Sequence, residues 1–222
     1  MKVQIYSHKS AEDAAMSVVA GVDFIGTSTG EKGRLEAEVD FAACREIFAA
    51  IPKEAGAMKV ALTVAWELDE IIEMVQAVNP DIIHLSGDIA DLPAEQVAVL
   101  RKIISPVKIM QAIPVGGWKA VKLALEYQPV SDYLILDTDL SGFPGIGATG
   151  ATHDWAVSAE IVKRANIPVI LAGGLSPDNV VEAIRSVKPW CVDSFSHTNL
   201  PGSKQKDPER VKAFVEAAKS AL

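Results

Sequence analysis

A chain of 222 residues that is 49% hydrophobic can bury one large core, and its formal charge of −8 leaves no basic face for nucleic acid or an anionic membrane. Met1-Lys2-Val3-Gln4-Ile5 lacks a signal-peptide apolar region and no run approaches the roughly 20 apolar residues of a membrane span, so a cytoplasmic protein of one domain, 1–222, is expected. Its two cysteines, Cys44 and Cys191, have neither metal-ligand nor redox spacing and read as core residues.

Along the chain, short β-rich runs alternate with helical patterns. Strands are predicted at Val3–Tyr6, Phe24–Thr27, Val60–Ala65, Ile82–Leu85, Val107–Ala112, Tyr133–Asp137, Val169–Leu171 and Cys191–Asp193. Ser10 followed by Asp13 reads as a capping box after the first strand. Phe41, Cys44, Phe48 and Ile51 mark one apolar helix face, and Leu68, Ile71, Ile72, Val75 and Val78 mark the next. Pro52 and Asn79-Pro80 end those two helices. Ser176-Pro177 and Asp207-Pro208 each read as a cap with proline at the first helical position, and the last helix runs through Val211, Phe214, Val215 and Ala218. Strands buried on both faces and alternating with helices demand parallel pairing. Eight such units predict an α/β fold, a single-domain (β/α)8 TIM barrel, with an open doubly wound sheet as the alternative.

In such a barrel the chemistry lies at the C-terminal ends of the strands, and the loops after strands 7 and 8 hold phosphate. Leu171-Ala172-Gly173-Gly174-Leu175-Ser176-Pro177-Asp178-Asn179 leaves the seventh strand through two glycines, which let an anion approach bare backbone before a helix start. One unit later stands Asp193-Ser194-Phe195-Ser196-His197. Gly173, Gly174, Ser196 and His197 are therefore expected to bind phosphate, with an imidazolium adding charge to the backbone donors. Asp137 ends a barrel strand, where packing explains a carboxylate poorly. Asp139 reads as solvated and His153 as a helix-start residue. Scattered His and Asp residues lack paired ligand spacing, so no metal is expected.

Several of these segments resemble the phosphoribosylanthranilate isomerase family. Leu134-Ile135-Leu136-Asp137, followed by Gly147-Ala148-Thr149-Gly150-Ala151-Thr152-His153-Asp154-Trp155, is similar to the family's LLLD and GGTGxxFDW. The stretch from Leu171 to Val180 resembles LAGGLxPxNV, and Val192-Asp193-Ser194-Phe195-Ser196 with Pro201-Gly202-Ser203-Lys204 and Lys206-Asp207 resembles VDVSSGVExxPGxKD. Weaker echoes are Glu12-Asp13-Ala14, Phe24-Ile25-Gly26 and Ile83-His84-Leu85-Ser86-Gly87-Asp88. The resemblance implies a cofactor-free Amadori rearrangement of a phosphoribosyl amine in tryptophan biosynthesis, by a monomer or homodimer acting on a small phosphorylated sugar-type substrate. An acid must protonate the ring oxygen and a base must take the C2 proton.

By the resemblance the acid maps onto Asp137, Asp193 is the strand-8 aspartate, and Arg34 stands near the family's arginine for the substrate carboxylate. The family's strand-1 cysteine, its base, is replaced by Tyr6 in Gln4-Ile5-Tyr6-Ser7. A tyrosine near pKa 10 is almost wholly protonated at neutral pH, whereas a cysteine near 8.5 needs little help. His84 takes the place of a family glutamine, Ser86 of a histidine, and Phe195 and His197 of a serine and a glycine. Candidates for the lost role are Tyr6 itself, His8 two residues on, His84 and Asp193. Two other readings stay open: a related barrel acting on another phosphorylated sugar, and a non-catalytic phosphate-ligand binder.

Overall fold

Valine, isoleucine and leucine dominate the strands, and period-two alternation sends their side chains into two separate apolar compartments. The computed structural model describes residues 1–138 and 153–221, and among them eight strands alternate with eight helices. In order these are β1 (Lys2–Ile5), α1 (Ala11–Val19), β2 (Phe24–Ser28), α2 (Phe41–Ala49), β3 (Met58–Thr63), α3 (Leu68–Val78), β4 (Ile82–Leu85) and α4 (Ala94–Ile104). They continue with β5 (Lys108–Val115), α5 (Lys119–Tyr127), β6 (Tyr133–Thr138), α6 (Trp155–Arg164), β7 (Val169–Leu171), α7 (Val180–Val187), β8 (Cys191–Ser194) and α8 (Pro208–Ser220). Every strand pairs in parallel with its chain neighbours, and β8 closes on β1. The expected (β/α)8 barrel is the observed fold.

Val3, Ile5, Ile25, Ile83 and Ile109 pack outward against the helices. Tyr6, Phe24, Val60, Ile82, Met110, Ile135, Ile170 and Cys191 fill the barrel itself. Residues two apart share a face, so His84, Asp137 and Asp193 follow Ile82, Ile135 and Cys191 into the interior, one layer nearer the C-terminal mouth. Gln4 lies in register with Asp193 on the adjacent strand.

The helix signals act largely as read. Ser10 caps α1 by accepting the Asp13 N–H at 3.1 Å, and Asp207 caps α8 with Pro208 at its start. Asn79 ends α3 in the left-handed conformation at φ 47. One reading needs correction: Ser176 is not the cap of α7. Ser176 accepts the Asp178 N–H and gives its own N–H to the Asn179 side chain, so this stretch closes a turn and the helix begins only at Val180. No helix among the described residues is long and apolar enough to cross a membrane.

Candidate active site

At the end of β1 the Tyr6 N–H donates to the Ser194 carbonyl at 3.0 Å, which locks this residue to the end of β8. Its ring then crosses the barrel over Gly26, where a Cβ would stand 2.3 Å from Tyr6 Cε1. Glycine in mid-strand is the residue that permits such an approach. The phenol ends 3.0 Å from His84 Nδ1. Burial, reinforced by the charge of Asp193, raises the phenol well above its ordinary value. Tyr6 therefore keeps its proton and donates it to His84. Burial also lowers the imidazole to about 3, so the ring is neutral and, with Nδ1 accepting, carries its own proton on Nε2. That buried Nε2 has no hydrogen-bond partner among the described residues.

Near their ends, strands β6 and β8 each carry a carboxyl group facing the interior. Asp137 accepts the Thr138 N–H at 2.7 Å, but burial outweighs that bond and pushes it up to about 7. Asp193 is pushed up to about 8 by burial and then by the charge of Asp137, against the opposing pull of Gln4 and Lys206. Two carboxyls coupled in this way titrate as a pair, the proton of one raising the acidity of the other. Both line one pocket with Gly173, Gly174, Ser196 and His197, so the structure gathers six of the expected site residues at the mouth.

The two glycines have positive φ, 83 at Gly173 and 63 at Gly174, a conformation that L side chains rarely adopt. Ser194 Oγ donates to the Leu175 carbonyl at 2.7 Å and ties the β7 loop to the end of β8. A Cβ on Gly173 would lie 2.7 Å from Thr138 Oγ1, 2.9 Å from His153 Nδ1 and 3.2 Å from Asp137 Oδ1. Gly173→Ala is accordingly expected to destabilise the fold by about 1–3 kcal/mol through backbone strain and overpacking, and to displace the Asp137 carboxyl. Urea unfolding and turnover measured on the same preparation check both effects.

Two candidates stand elsewhere. His8 is fully buried outside the pocket, its Nδ1 2.9 Å from the Gly26 carbonyl and its Nε2 2.8 Å from Ser17 Oγ of α1. With both nitrogens engaged in packing α1 to the barrel, and burial lowering its pKa to about 3, its place corrects the expectation of a base. Arg34 gives both prongs of its guanidinium to Glu70 at 2.9 Å and lies 4.7 Å above the Trp66 ring. Its fork already carries a carboxylate, that of Glu70. Asp139 and the Gly147–Thr152 motif lie outside the described residues.

Three contributors escaped the sequence reading. Gly26 makes room for Tyr6, and its one available signal was a glycine inside a strand pattern. His153 packs behind Gly173, with Nε2 2.7 Å from Ser158 Oγ, and so limits what can replace that glycine. Lys206 is buried against Tyr6, 200 residues away in the chain, and nothing local announces that contact. Among the described residues no group of three His, Cys, Asp or Glu side chains is arranged to hold a metal ion.

Comparison with known proteins agrees with this geometry. The family model described as N-(5'phosphoribosyl)anthranilate (PRA) isomerase matches residues 6–217. N-(5'-phosphoribosyl)anthranilate isomerase of Haloferax volcanii is 36% identical over 220 residues, covering 99% of this chain and 94% of the relative. The crystal structure of phosphoribosyl anthranilate isomerase from Thermotoga maritima superposes with TM-score 0.82 at 27% identity, covering 99% of both chains. A phosphoribosyl anthranilate isomerase structure in complex with reduced 1-(o-carboxyphenylamino)-1-deoxyribulose 5-phosphate superposes with TM-score 0.80 at 26% identity, again over 99% of both.

Proposed function

Because this chain belongs to the N-(5'-phosphoribosyl)anthranilate isomerase family, we propose that it converts phosphoribosylanthranilate to the corresponding 1-deoxyribulose amine, a step of tryptophan biosynthesis, in the cytoplasm as a monomer or homodimer. One observation carries the reading at the level of chemistry: two carboxyl groups, Asp193 buried and Asp137 half-buried, open on the same pocket as the Gly173-Gly174 and Ser196-His197 turns. The substrate phosphate rests on those turns, where glycine backbone and His197 face it. That handle fixes the sugar above the carboxyl pair.

Asp137 gives its proton to the ring oxygen as the C1–O bond breaks, and the nitrogen lone pair forms the C1=N bond. Asp193 takes the C2 proton. The C2–H electron pair becomes the C1=C2 double bond, and the C=N pair returns to nitrogen. Proton return from Asp193 to C1, with loss of the C2 hydroxyl proton to Asp137, then yields the ketone and resets both groups. C1 is reduced while C2 is oxidised, so this aldose–ketose isomerisation is an intramolecular oxidoreduction that balances within the substrate and needs no cofactor. Tyr6 and His84, both buried and outside the lining of this pocket, transfer no proton in this reading. Arg34 binds the anthranilate carboxylate if Glu70 yields its fork.

The purified protein is expected to turn over phosphoribosylanthranilate and to restore growth of a tryptophan auxotroph lacking the isomerase. Failure of both at good expression would sink the assignment. Tight binding of phosphate esters without turnover would point instead to a binding protein.

A further inference from the structure

Nη1 and Nη2 of Arg34 each donate to one oxygen of Glu70, on α3, at 2.9 Å, a bidentate geometry that ranks among the stronger charge-assisted contacts. Lys32 Nζ reaches the same carboxylate at 2.7 Å, and Glu67 stands 3.7 Å from Arg34 Nη2. The placement of Arg34 does not depend on that pair. The loop after β2 closes on itself through the Thr29–Val39 bridge, and the Glu38 carboxylate accepts the N–H of Gly33 at 2.7 Å and that of Arg34 at 3.2 Å. The Trp66 ring, in the loop after β3, supports the guanidinium at 4.7 Å. The side chains of Arg34 and Glu70 are 20% and 19% exposed, so solutes can reach the pair. Both loops follow the C-terminal ends of their strands, and β1 separates β2 from β8 in the closed sheet. A ligand seated on the Ser196–His197 turn reaches the β2 loop across two strand spacings, about 10 Å.

We propose that Glu70 is a specificity-determining residue: it fills the Arg34 fork as an internal carboxylate, so that a ligand's carboxylate is admitted only when the same ligand is anchored by its phosphate. This rests on the reading of Arg34 as the site of the substrate carboxylate and is independent of the roles of Asp137 and Asp193. A free aromatic carboxylate competes with Glu70 at its bulk concentration. One tethered to a seated phosphate competes at an effective concentration set by the tether, in the millimolar range for short linkers. The internal competitor weakens both by the same factor, and only the tethered one keeps enough affinity to bind. Burial opposes ionisation of Glu70, but Lys32 and Arg34 outweigh it and lower the carboxyl from its ordinary value, so the competitor is charged at neutral pH. Without it, Lys32 and Arg34 would form an open cationic pair that attracts any small anion.

The test measures binding of anthranilate, followed by its own fluorescence, to full-length wild type, Glu70→Gln and the double variant Arg34→Met/Glu70→Gln, each first checked for folding by circular dichroism. Glu70→Gln is expected to bind anthranilate on the order of tenfold more tightly than wild type, because the fork loses its charged internal partner. The gain should shrink at high ionic strength and vanish in the double variant, which ties it to this guanidinium. A glutamate that merely fastens α3 to the β2 loop would loosen the site on removal, so tightening is not a structural effect. Unchanged or weaker binding in folded Glu70→Gln, or a gain that survives the loss of Arg34, overturns the proposal. Should Glu70→Gln not fold, Glu70→Asp takes its place: one methylene shorter, it cannot hold both prongs at the observed distance, and tighter binding is again expected, with unchanged or weaker binding overturning the proposal. Anthranilate binding needs no turnover, so failure to isomerise phosphoribosylanthranilate would remove the proposed reaction alone and leave this result standing.

Discussion

Asp137→Asn is expected to lower kcat by about 10²–10⁴-fold with little change in KM, the loss typical of removing a positioned general acid. The amide has nearly the shape of the carboxyl and still accepts the Thr138 N–H, whose partner oxygen is now 2.7 Å away. Stability separates chemistry from misfolding. The folded carboxyl is raised to about 7 from an unfolded value near 3.9, so its contribution is full below the unfolded value and is lost as pH rises through about 7. A neutral amide escapes that loss. The thermal midpoint of Asp137→Asn at pH 8 to 9 should therefore equal or exceed that of wild type while turnover collapses. A variant that unfolds early at this pH, or one that keeps more than a tenth of wild-type turnover, contradicts the assignment of Asp137 as acid.

The barrel was legible because its strands are short apolar runs bounded by helix signals. Ile82–Leu85 and Val169–Leu171 stand where the β-branched runs place them. The reading stopped β5 at Ala112, before Pro114, whereas the strand continues to Val115 with Pro114 in register with Asp137. Near the mouth a missing N–H costs one ladder bond, and the neighbouring strand holds the extension in place. Gly173 and Gly174 were legible for a different reason: positive φ demands glycine, and that demand is local. Partnership across the barrel is not. The bond from Tyr6 to His84 spans 78 residues, and the clamp of Lys206 on Tyr6 spans 200. No periodicity or spacing encodes which interior residue a long side chain will meet once eight strands close. The replacement of cysteine by Tyr6 was visible at once, but the consequence of its burial was not: a phenol bonded to His84 and raised well above its ordinary value.

That consequence places the largest remaining weight on Asp193. Asp193→Asn is expected to reduce kcat by about 10²–10⁴-fold, as loss of a general base does, whereas Tyr6→Phe should keep more than a tenth of wild-type turnover. Tyr6→Phe removes only a donor. It leaves His84 Nδ1 buried without its 3.0 Å partner, at a cost of about 1–3 kcal/mol in stability. The two substitutions thus move different observables, one turnover and the other the unfolding midpoint. The pH profile adds the sign. Activity needs one proton on the pair, so kcat/KM should form a narrow bell with its maximum between about 7 and about 8, the values to which Asp137 and Asp193 are raised; because Asp193 is raised further, the reactive arrangement with the proton on Asp137 is the less populated form of that singly protonated pair. On the acidic side both carboxyls are protonated and no base remains; on the alkaline side both are ionised and no acid remains. Any residual turnover in Asp193→Asn should lack the acidic limb, and in Asp137→Asn the alkaline one. If Tyr6→Phe abolishes turnover while Asp193→Asn spares it, the proton at C2 leaves through the Tyr6–His84 side of the barrel, and the carboxyl pair supplies only the acid.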